Sequence, residues 1–173
     1  MSAYVALLRG VNLLGASTLK MDDLRGIAAE LGLGSPRTLI ASGNLLFTSA
    51  IPEKELRQKL ERRIQEHMGR EVRVILRTAD EMEEVVRANP FTDLEGNRVQ
   101  AFFMTEAPPA NLKETVRNQG DDERIALGPR EVFVAYGERG IGKSRLRIPA
   151  AEAGTARNMN TVAKLAKLSR EMS

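Results

Sequence analysis

Apolar residues fall along the chain in two alternating rhythms, which mark out strands and helices in turn. Ala3–Leu8 is an unbroken apolar run of the length expected for a strand buried on both faces. Met21, Leu24, Ile27, Ala28 and Leu31 recur at helical spacing, with Asp22 and Asp23 in the first turn and Gly32 and Gly34 as a stop. Arg37–Ala41 and Leu45–Thr48 are β-prone runs around Ser42-Gly43-Asn44, a short-hairpin signal. Pro52 opens a helix with Leu56, Leu60 and Ile64 on one face and Glu53–Arg57 and Glu55–Lys59 pairs on its surface; Gly69 ends it. Val72–Leu76 is the next strand. Strand, helix, hairpin, helix, strand is the ferredoxin-like order.

The second half reads as a partial echo. Thr78-Ala79-Asp80-Glu81 fits a capping box ahead of Met82, Val85 and Val86, and Asn89-Pro90 breaks that helix. Strands are expected at Arg98–Thr105, Glu123–Leu127 and Glu131–Tyr136, with a helix around Asn111–Asn118 after Pro108-Pro109. A glycine- and arginine-rich loop runs from Gly137 to about Gly154, and a final helix carries Val162, Leu165, Ala166 and Leu168. The pattern is that of an α+β chain with mainly antiparallel sheets, whose first half has the ferredoxin-like order and whose second half partly echoes it. Residues 1–77 form the N-terminal lobe, and residues 78–173 the C-terminal lobe with the basic loop and terminal helix.

Composition narrows the chemistry. No cysteine is present, which removes disulfides, thiolate nucleophiles and cysteine-ligated metal sites. Aromatic residues make up 4% of the chain, too few to favour base-stacking platforms. The N-terminal apolar run is too short for a signal peptide, and no stretch approaches the length of a membrane span, so the expected location is the cytoplasm with no membrane partner. Gly137–Ser173 holds eight basic residues against three acidic ones, a balance of +5 against +3 for the whole chain. Such asymmetry points to an anionic partner, or to a solvated helix whose basic last turn complements its dipole.

Gly137-Glu138-Arg139-Gly140-Ile141-Gly142-Lys143-Ser144 matches the phosphate-loop pattern letter for letter. That pattern requires a helix opening at the lysine, whereas Arg145–Pro149 reads as extended chain stopped by proline. What remains is a flexible cationic loop with Lys143 and Ser144, joined by Arg157 and Asn158 near the start of the last helix, all suited to an anion. Asn158 has a competing reading as a helix cap, and Arg157 as the partner of a surface acid. The 12 residues Arg9–Lys20 form a second candidate, a long loop offering Arg9, Asn12 and Lys20, although Asp22 and Asp23 would oppose an anion there. His67 is the only histidine and reads as a helix-terminal residue rather than a general base. Asp121-Asp122-Glu123 could meet a hard cation, but consecutive acids on a loop usually face water. No metal and no cofactor are expected, and no catalytic residue can be assigned.

Four segments in order resemble the signatures of the family filed as domain of unknown function 1697. They are Tyr4–Asn12, Ala41–Phe47, Gly140–Leu146 and Gly154–Val162. The resemblance implies two related ferredoxin-like lobes and carries no reaction, substrate or cofactor. Met159 stands where the family pattern leads one to expect an aromatic residue. The leading functional expectation is binding of an anionic ligand, whether a phosphorylated small molecule, a nucleotide or nucleic acid, by the basic C-terminal loop. The alternatives are an enzyme acting on a phosphate- or carboxylate-bearing metabolite in a cleft between the lobes, or a non-catalytic interaction protein.

Overall fold

The computed structural model describes residues 1–11, 18–40 and 43–173. It divides into two compact units, one of residues 1–83 with 165–173 and one of residues 84–164. Asn12, Ala41 and Ser42, which figure in the sequence-based expectations, lie outside the described residues.

The first unit contains β1 (Ser2–Leu8), α1 (Met21–Glu30), β2 (Gly34–Thr38), β3 (Asn44–Ser49), α2 (Glu53–Met68) and β4 (Val74–Thr78). Its four strands run in the order β2-β3-β1-β4 with antiparallel neighbours throughout, which is the ferredoxin-like arrangement. One face of the sheet presents Tyr4, Ala6, Leu45, Phe47, Val74 and Leu76 to Leu24, Ile27 and Ala28 of α1 and Leu56, Leu60 and Ile64 of α2. Each of those leucines is fully buried, so truncation to alanine would cost about 2–5 kcal/mol. Val5, Leu7, Leu46 and Ile75, on the other face, are buried too. Burial on both faces is why β1 reads as a continuous apolar run instead of an alternating one. On α2 the Glu55–Lys59 pair forms at 3.3 Å, and Arg57 meets Glu61 at 3.6 Å. His67, in the last turn, lies 3.5 Å from Asp23 of α1.

β2 begins three residues earlier than its hydrophobic pattern predicts and ends at Thr38 rather than Ala41. It is an edge strand, so Pro36 can sit within it without breaking a ladder. Ile40, counted as a strand residue on its β-propensity, is instead exposed with φ of 60°.

In the second unit α3 (Ala79–Ala88) leads to β5 (Val99–Phe103), α4 (Leu112–Thr115), β6 (Arg124–Leu127), β7 (Glu131–Ala135), β8 (Thr155–Asn158) and α5 (Met159–Met172). The division between the units falls within α3, after Glu83, and within α5, after Lys164. The capping box at the start of α3 is formed: Glu81 N–H donates to Thr78 Oγ1 at 3.2 Å, and Glu81 Oε1 accepts from Thr78 N–H at 3.4 Å. Arg170 near the end of α5 bridges Asp80 and Glu83 of α3. The sheet order β6-β7-β5-β8 repeats that of the first unit, again antiparallel throughout.

Two expectations are corrected here. The helix around Asn111–Asn118 shrinks to α4, because Val116 is already extended and Arg117 pairs with Arg147 in an antiparallel bridge. The final helix does not take in Arg157 and Asn158; residues Thr155–Asn158 are strand β8, hydrogen-bonded to β5, and α5 starts at Met159. No α-helix joins β7 to β8. Gly137, Gly140, Gly142 and Pro149 leave only two short 3-10 turns in that connection, and Ile148 and Ala151 fill the core beside Val132, Val134 and Leu112. Among the described residues, no helix is long and apolar enough to cross a membrane.

Candidate functional site

The second unit holds a cleft of about 470 Å³ between two loops, Asn118–Glu123 ahead of β6 and Gly137–Arg145 after β7. The ladder sets them side by side. Arg124 pairs with Ala135, so the chain before β6 and the chain after β7 leave the sheet at the same end. The far ends are tied by the Arg117–Arg147 bridge, in which each N–H donates to the other residue's carbonyl at 2.9 Å. Between these two straps, Ser144 Oγ donates a hydrogen bond to Glu123 Oε2.

Local chemistry holds each wall in shape. In the acidic loop, Glu123 Oε1 accepts from the Gly120 N–H at 2.7 Å, and the Glu123 carbonyl accepts from Gln119 Nε2 at 2.7 Å. Asn118 takes φ of 57°, which asparagine tolerates better than most residues. Asp122 reaches across to accept the Glu138 N–H at 3.2 Å. In the basic loop, Gly140 has φ of 74°, a conformation costly for any residue with a Cβ. Beneath the loops, burial and then the nearby Glu123 carboxylate push the Tyr136 phenol up to about 12, and its hydroxyl donates to Gln100 at 2.9 Å.

The phosphate-loop match lacks its defining geometry. Ile141–Lys143 is a single 3-10 turn, Ser144 is extended, and no helix opens at the lysine. The Ser144 hydroxyl, which would face a metal ion in a nucleotide site, is engaged with Glu123.

The cleft gathers Lys143 and Ser144, with Arg139 and Arg145 beside them, while Arg157 and Asn158 do not line it. Arg157 is buried on β8, with Nη1 donating to Thr155 Oγ1 at 2.7 Å and to the Ala156 carbonyl at 2.9 Å. Loss of water pushes its guanidinium down to about 10. Asn158 is the cap of α5: its Oδ1 accepts the Thr161 N–H at 3.0 Å. In the first unit, Arg9 is exposed and its N–H donates to the Arg73 carbonyl at 3.0 Å; Lys20 is the exposed residue just before α1. Met159 is buried at the first position of α5.

Sequence reasoning places the basic loop but leaves its acidic wall facing water. The missing signal is the β6–β7 hairpin: once Glu123–Leu127 is accepted as the partner of Glu131–Tyr136, the acids are carried to the glycines after β7. No group of three or more acidic or histidine side chains able to hold a metal ion is formed among the described residues.

The class these observations define is a chain of two α+β units, each built on a four-stranded antiparallel sheet with the ferredoxin-like strand order. The chain belongs to the family described as protein of unknown function (DUF1697), which matches over residues 1–133. The acidic wall of the cleft falls within the matched residues and the basic wall beyond them. The fold is similar to the structure of conserved bacterial protein SP0830 from Streptococcus pneumoniae, with a TM-score of 0.79 and 24% identity over 97% of this chain and 98% of that one. No curated protein matches the sequence.

Proposed function

We propose that the chain binds a small anionic metabolite, a phosphate ester foremost, in the cleft between Asn118–Glu123 and Gly137–Arg145. One observation carries this reading: Arg139, Lys143 and Arg145 are exposed around a single cavity, and none of them is ion-paired among the described residues. The volume falls in the range of small-molecule sites. Arginine and lysine together give a phosphate both forked hydrogen bonds and a compact charge.

The same lining speaks for a small ligand over nucleic acid. Its six ionisable side chains divide three and three, Asp121, Asp122 and Glu123 against Arg139, Lys143 and Arg145. A polyanionic backbone would meet repulsion from the acidic wall, and among the described residues no aromatic side chain lines the cleft to stack a base. The test is thermal unfolding in the presence of inorganic phosphate, propyl phosphate and a single-stranded DNA oligonucleotide. Propyl phosphate should raise the Tm of the native chain, and the Lys143→Ala/Arg145→Ala variant should lose that response. Equal stabilisation of the double variant, or stabilisation by the oligonucleotide alone with a steep salt dependence, would contradict the reading.

A further inference from the structure

Resting on that reading of the cleft, we propose that its ligand carries a cationic amine as well as a phosphate, with Asp121 receiving the amine. The three acids of the opposite wall are not equivalent. Glu123 spends both carboxylate oxygens inside the protein, on the Gly120 N–H and on the Ser144 hydroxyl. Asp122 gives one oxygen to the Glu138 N–H. Asp121 lines the same cavity, is exposed, and makes neither a hydrogen bond nor an ion pair among the described residues.

The cations across the cleft are equally uncommitted. Among the described residues no ion pair joins Asp121 to Arg139, Lys143 or Arg145, so both signs of charge stand open to a ligand. The Arg124–Ala135 pairing, the Arg117–Arg147 bridge and the Glu123–Ser144 hydrogen bond fix the spacing of the two loops at both ends and along their length. A cavity that carries both signs of charge favours a molecule that carries both as well. A phosphate without an amine gains the cations but meets repulsion from Asp121. An amine-bearing phosphate monoester satisfies both walls, its dianion on the arginines and lysine and its ammonium on the aspartate. The ligand class is therefore a phosphorylated amine of small size.

The test compares two probes that differ only in the amine, aminopropyl phosphate and propyl phosphate, by calorimetric titration at low ionic strength near neutral pH. Aminopropyl phosphate should bind the native chain about fivefold tighter, the size expected for one partly exposed charged hydrogen bond. Asp121→Asn should abolish that preference and tighten propyl phosphate slightly, because the repelling carboxylate is gone, with Tm unchanged. If propyl phosphate binds as well as its amine, or if the preference survives in Asp121→Asn, the amine subsite is overturned and the anion site stands. If neither probe binds, both fall together.

Discussion

Asp122 fills the space that a Cβ on Gly137 would occupy: such an atom would lie 1.6 Å from Asp122 Oδ2. The relationship follows from the ladder. Arg124 pairs with Ala135, and stepping two residues outward on each strand brings Asp122 beside Gly137. A glycine at the end of β7 thus lets a carboxylate from the acidic loop cross to the Glu138 N–H.

Gly137→Ala should push the Asp122 side chain aside and break that hydrogen bond, at a cost of about 1 kcal/mol in chemical denaturation. Asp122→Ala should lose the same bond. The double variant should then cost less than the two singles combined, because the clash disappears with the carboxylate. Additive costs would show that the two residues act separately.

Asn158 acts as a helix cap, so Asn158→Ala should lower stability by about 1 kcal/mol, and Asn158→Asp or Asn158→Ser should restore most of it. Binding of propyl phosphate should be unchanged in all three. Weaker binding with unchanged stability would return Asn158 to the ligand site.

Arg157→Ala should destabilise the chain by about 2 kcal/mol, since it empties a buried volume on β8 and strips the Thr155 hydroxyl of its donor. Phosphate binding by the folded variant, measured well below its Tm, should match the native chain.

Tyr136 gives a pH signature. Burial holds its phenol up to about 12, above the ordinary value of 10.0, so the folded chain keeps a proton that the unfolded chain has lost. The stabilisation is complete below the unfolded value and is lost as pH rises from there through the folded value. Tyr136→Phe should cost about 1 kcal/mol at neutral pH through the lost bond to Gln100. That gap should narrow between pH 10 and 12, tracked by urea denaturation alongside phenolate absorbance. A constant gap would show that Tyr136 is not shielded.

The first unit was readable because its pattern and its packing agree. Leu56, Leu60 and Ile64 sit at helical spacing and are buried together, and β1 is apolar from Ala3 to Leu8, where every residue is buried. Strand β8 was hidden for the opposite reason. Its buried positions are Thr155 and Arg157, so a polar pair occupies the face a hydrophobic reading would assign to solvent. The helix expected after Pro109 failed because a long-range bridge to Arg147 outweighs local propensity from Val116 onward. At the cleft, Lys143 and Ser144 announced themselves through a motif whose geometry is missing. Asp121 and Asp122, which give the site its second sign of charge, reach it only through the pairing of two short strands that the pattern marks one by one without joining.

The most direct measurement of the central claim is a heteronuclear NMR titration of the native chain with propyl phosphate, read at the backbone amides. The anion-cleft account predicts shifts confined to residues 118–123 and 137–146, on both walls of the cleft. Shifts centred on Arg157–Thr161 at the start of α5, or no saturable shifts in either loop, would contradict it.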